Sequence, residues 1–191
     1  QQGFAFAFLE ELWSRNLGNL LMSPLRPWEF VASLMVISMV RLAIGMLPVT
    51  LLAIPLFGFN LWSLGLPLAA FFAALVMTGW AIGLVIVGLL LRHGLGAEAL
   101  SWSLMFVLLP LTCVYYPVAV LPHWLQYFAW ALPPTYVFEG MRAILAEKTV
   151  HWDGLAIAFG LSVVYLVIGF QIFLAFFRAS RRAGTLLGQG E

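Results

Sequence analysis

With 191 residues, of which 63% are hydrophobic and 9% charged, and a net charge of +1, the chain has too few charges to build a soluble surface. A mean hydropathy of +1.02 places it among integral membrane proteins, and no basic cluster interleaved with exposed aromatics offers nucleic acid a footing. Cys113 is the only cysteine, which excludes an internal disulfide and a thiolate metal site, and His93, His123 and His151 lack ligand spacing.

The first apolar stretch, Phe4 to Leu9, is too short to cross a bilayer and reads as the tail of a helix that begins upstream; nothing in it looks like a signal peptide. An amphipathic helix follows over 9–22. Leu9, Leu12, Trp13, Leu17, Leu20 and Leu21 recur at spacings of three and four, while Glu10, Glu11, Ser14, Arg15 and Asn19 cover the other side. Glu11 and Arg15 stand at the supportive i, i+4 spacing, and Ser23-Pro24 ends the element. By its own pattern this helix reads equally as an anchor lying in the membrane interface.

Four spans are predicted, over 28–57, 66–91, 98–116 and 154–177, each long enough at 1.5 Å per residue to cross. Pro48 and Pro55 are expected to kink the first. Arg41 falls about 16–20 Å into that span, where a charge costs roughly 2.5–3.5 kcal/mol. It either snorkels to the interface or pairs with polar groups or an anionic substrate. In the second span Gly79-x-x-x-Gly83, with Ala69/Ala73 and Ala70/Ala74 before it, offers small-residue faces for close helix packing. Arg15, Arg26, Arg92, Arg178, Arg181 and Arg182 fall on one side, against Arg142 and Lys148 on the other. The positive-inside rule makes the six-arginine side cytoplasmic, together with the C-terminus.

Between the last two spans, 117–147 is apolar enough for a membrane, yet Pro117, Pro122, Pro133 and Pro134 cut it into pieces too short to cross. Irregular backbone at membrane depth survives only under protein cover or beside a water-filled cavity. The segment is therefore expected to be an external re-entrant hairpin followed by a surface helix. Glu139 and Arg142, three apart, can pair: as a weak surface contact, or as part of an outer lid hinged at the double proline. Tyr115, Tyr116, Trp124, Tyr127, Trp130 and Tyr136 suit an interfacial aromatic belt or a platform for a sugar or drug.

The sequence has no G-x-x-x-x-G-K-[ST], G-x-S-x-G or H-E-x-x-H, and no paired intramembrane carboxylates. No catalytic residue, metal ligand or bound cofactor is expected.

The pattern of a Pro after an aromatic pair (Tyr115-Tyr116-Pro117), L-P-x-W-L-Q from Leu121, and F-E-G-M-R from Phe138 resembles the membrane subunit of the ABC-2 family of ATP-driven exporters. S-P-L-R-P at Ser23, F-G-F-N-L before Trp62 and G-W-A-I-G at Gly79 extend the likeness over nearly all of the chain. The resemblance implies an all-α integral membrane fold: one ABC-2 transmembrane domain over 1–191, four complete spans of six, with the first and most of the second upstream. It implies a permease in a bacterial plasma (inner) membrane, working as a dimer of permeases with separate ABC ATPase subunits that bind the ATP. The cargo would be a polysaccharide, a lipid-linked molecule or a drug. It turns the helix over 9–22 into a coupling helix, with Glu10, Glu11, Arg15 and Asn19 toward the ATPase. The translocation-path or lid candidates are Arg41, Pro117, Pro122, Pro133, Pro134, Glu139 and Arg142. The rival reading is an ATP-independent multi-span transporter or an intramembrane transferase.

Overall fold

The computed structural model describes residues 2–14, 26–57, 65–147 and 149–183. Among the described residues the chain is helical and holds no strand. Its elements are α1 (Gln2–Trp13), α2 (Pro27–Phe57), α3 (Gly65–His93), α4 (Glu98–Leu111), α5 (His123–Ala131), α6 (Pro133–Glu147) and α7 (Trp152–Ala183), with 3-10 turns at Gly94–Ala97 and Val118–Val120. Within α2, α3 and α7 lie stretches long and apolar enough to cross a membrane: Pro27–Ala53, Gly65–His93 and Trp152–Arg182. The all-α membrane architecture expected from the sequence is the one found.

Local chemistry sets the ends of these helices. Pro27 occupies the first turn of α2, where its missing N–H is not needed. Glu29 reaches back to accept the Arg26 N–H at 2.8 Å, half of a capping box. The helix then runs through Pro48 and Pro55, each of which removes one backbone bond. The span expected over 98–116 is helical only to Leu111, a length of about 21 Å for 14 residues. Pro110 sits in its last turn, and Cys113 follows in the left-handed region at φ 54°. Such a residue just past a helix turns the chain away, and Pro117 keeps the residue before it out of the helical region.

The chain divides into two compact units. The first comprises Gln1–Asn60, Gly79–Glu98 and Val167–Glu191. In it α1 packs on α2, with the rings of Phe8 and Phe30 edge-on at 6.1 Å. Phe30 stacks on Phe173 at 6.3 Å, and Phe173 meets Phe177 at 5.8 Å. Gly83 lets Phe4 come close: a Cβ there would stand 2.6 Å from the ring. One end of the predicted small-residue face is thus used inside the chain. Trp80 Nε1 donates to Ser38 Oγ at 2.8 Å, and Ser180 Oγ donates to the Leu91 carbonyl at 3.0 Å. Since lipid competes with apolar contact and an interhelical hydrogen bond in a membrane gives about 0.6 kcal/mol, close ring-on-glycine fit is what such helices rely on.

The helix expected over 9–22 is described only through Ser14. Leu9 and Leu12 belong to α1 and are buried with Phe4, Ala5, Ala7 and Phe8. This part of the stripe is covered by protein, since α1 packs on α2. Residues 15–25 lie outside the described residues.

The second unit comprises Leu61–Thr78 and Ala99–Leu166. Its larger core joins Phe71 and Ala74 of α3, Val137 of α6, and Leu155 and Ala158 of α7. A Cβ on Gly140 would lie 2.6 Å from Phe71 Cζ, so only glycine lets α6 seat on that ring. Ser162 Oγ lies within bonding distance of the Ala74 and Ala158 carbonyls (3.1 and 2.7 Å) and of Thr78 Oγ1 (3.1 Å), which ties α7 to α3. A smaller core gathers Cys113, Val118 and Ala129 beneath Tyr116 and Leu121.

Candidate functional site

The Pro-broken segment is a chain reversal followed by two short helices. After α4 the backbone has no helical partners for its last carbonyls. Tyr116 turns its phenol back and donates to the Pro110 carbonyl at 2.6 Å. Pro117 is exposed and opens the 3-10 turn, with its carbonyl accepting from Val120 N–H at 3.1 Å. Pro122, also exposed, stands before α5 and accepts from Leu125 and Gln126 N–H at 2.9 and 3.2 Å. Gln126 Nε2 returns to the Leu121 carbonyl at 2.8 Å. The Tyr before proline and the Gln of L-P-x-W-L-Q thus each bond a main-chain carbonyl of the irregular stretch.

Arg142 serves the same stretch from α6. Its Nη1 donates to Glu139 Oε1 at 3.0 Å. The two N–H of its Nη2 are shared among the carbonyls of Cys113, Val114 (3.2 Å) and Tyr116 (2.8 Å). Glu139 Oε1 also accepts the Val118 N–H at 2.8 Å. Both side chains keep somewhat over a quarter of their surface exposed, at 29% and 27%. This is more than the i, i+3 pair read from spacing, since backbone 21 to 29 residues away enters the network. A guanidinium is well matched to several carbonyls at once, being permanently charged and offering five donors in a flat fork.

The double proline is enclosed. Pro133 and Pro134 are buried in the first turn of α6, where proline is well tolerated. Leu132 N–H bonds to Ala129 O at 3.0 Å and Thr135 N–H to Leu132 O at 3.2 Å across the junction. Of the aromatics, Tyr115, Trp124, Tyr127 and Trp130 are exposed, and the Trp130 ring meets that of Tyr136 at 4.9 Å. Tyr165 Oη reaches the Ala131 carbonyl at 3.1 Å and so ties α7 to the end of α5.

In the first unit, Arg41 Nη1 donates to Glu10 Oε1 at 2.9 Å, and Nη2 bonds the other carboxylate oxygen. The pair is bidentate and half exposed, at 38% for Arg41 and 51% for Glu10. Glu10, expected to face a protein partner, therefore meets a cation of its own chain. Glu11 lies half-buried beside it in α1; Arg15 and Asn19 lie outside the described residues. Arg41 lies within the span expected from the sequence, and no local pattern marks its partner, because 31 residues separate the two.

Three helices long and apolar enough to cross a membrane, with an irregular stretch whose backbone is bonded by the protein itself, are the features of a multi-pass membrane protein. The family model described as ABC-2 type transporter matches residues 3–146, and the chain belongs to that family. Neither the curated proteins nor the solved structures yield a match.

Proposed function

We propose that this chain is the permease subunit of an ATP-driven ABC exporter, moving a polysaccharide, a lipid-linked molecule or a drug-like compound out of the cytoplasm of a bacterium. The observation that carries the reading is the family match over 3–146; these residues hold no P-loop, so in this reading ATP is bound by a partner ATPase. In this reading two permeases and two ATPases form the working complex. Closure of the ATPases pushes on the cytoplasmic end of the permease, near Glu11, Arg15 and Asn19, and the segment 113–147 opens on the outer side. ATP does this only through a difference in affinity between two conformations.

The test is a double charge reversal in the assembled complex, Glu11→Arg with Arg15→Glu, which keeps their mutual i, i+4 attraction but inverts the pattern shown to a partner. The expected outcome is normal membrane insertion with loss of substrate-stimulated ATP hydrolysis and of transport. Full stimulation would remove the coupling role from these residues. Transport that persists when the partner's P-loop lysine is replaced would favour the ATP-independent class instead.

A further inference from the structure

The stretch 113–118 follows the end of α4 in an apolar part of the chain, where every unpaired peptide group is expensive. Its carbonyls at Cys113, Val114 and Tyr116 converge on one nitrogen of Arg142, and its N–H at Val118 meets Glu139. Arg142 and Glu139 stand one turn apart on α6 and are bonded to each other, so both ends of the network are held by a single element. Behind them the Cys113 side chain is wholly buried with Val118 and Ala129. At the other end, Pro133 and Pro134 are buried and the junction of α5 with α6 is bridged by backbone bonds.

We infer that Glu139 and Arg142 are positioning residues that clasp the reversal to α6, so that 113–147 moves as one body during transport. A swing at Pro133-Pro134 would pull α6 from the reversal and strand four main-chain groups at once. Movement enters ahead of the segment, at Leu111–Thr112, and not at the double proline. The link to transport rests on the permease reading; the clasp itself does not.

Cys113 is a built-in reporter. In native membranes carrying the full permease and its partner subunits, a small uncharged maleimide is applied and modification is read by mass spectrometry of the Cys113 peptide. Wild type is expected to react slowly, and equally so at rest and during ATP turnover. Arg142→Met should raise the rate by at least about tenfold, since the carbonyls it held are released. Glu139→Gln should raise it less, and Arg142→Lys should fall between wild type and Arg142→Met because a point charge replaces the fork. Transport per inserted molecule should fall in the same order.

A pair that merely stabilised the protein would reduce the amount in the membrane while leaving Cys113 reactivity and transport per molecule unchanged. A wild-type labelling rate in Arg142→Met overturns the clasp, and so does a wild-type Cys113 that becomes reactive during ATP turnover. Should Arg142→Met fail to insert, Arg142→Lys and Glu139→Gln decide, with wild-type rates in both counting against it. Failure of the permease reading would show instead as transport independent of ATP, with Cys113 reactivity still following the clasp.

Discussion

Thr135 carries a buried hydroxyl that has no hydrogen-bond partner among the described residues, one residue after two buried prolines. An unsatisfied buried hydroxyl is a liability that an isosteric methyl removes. Thr135→Val should leave stability unchanged or raise it by up to about 1 kcal/mol, read as the Tm of the purified complex. A fall in Tm would mean that the hydroxyl finds a partner in the assembly. The bidentate pair of Arg41 and Glu10 has the opposite character. Removing one member leaves the other charged group without its match, whereas removing both leaves a neutral face. Arg41→Leu alone should cut transport at least about tenfold, and Glu10→Gln added to it should recover most of the loss. Normal transport by Arg41→Leu would reduce the pair to a surface contact.

At the scale of elements, the seat of α6 on α3 depends on Gly140 facing Phe71. Gly140→Ala forces the ring or the helix to move and should destabilise the complex by about 1–3 kcal/mol, as overpacking does. Phe71→Leu on the same background should return part of that, and thermal unfolding of the single and double variants checks it. Helices α2, α3 and α7 were legible in the sequence because length and unbroken apolar character are local properties. The reversal was legible too, since Pro117 and Pro122 break any helix through them. The partners that satisfy its backbone were not, because Arg142 lies 26 to 29 residues beyond the carbonyls it serves. Helical spacing shows which residues share a face; it does not show which distant peptide groups that face meets. The stripe of Leu9 and Leu12 shows the same limit: a 3.6-residue period marks a buried face without saying whether lipid or protein covers it.

For the whole molecule, the arginine distribution gives a sidedness that can be measured. A cysteine placed at Gly96, in the 3-10 turn between α3 and α4, should react with an impermeant maleimide only in opened cells. One at His151, just before α7, should react in intact cells; the reverse pattern would invert the topology and place the reversal on the cytoplasmic side. The network around Arg142 also bears on how this protein is free to change over generations. Its acceptors at 113, 114 and 116 are peptide carbonyls, which every amino acid supplies. The side chain of Val114 takes no part in this network, while position 142 admits no replacement with the same flat five-donor fork. Mutational tolerance in this network is lopsided as a result: its three acceptors ask only for a peptide carbonyl, and the residue that gathers them lies outside the loop.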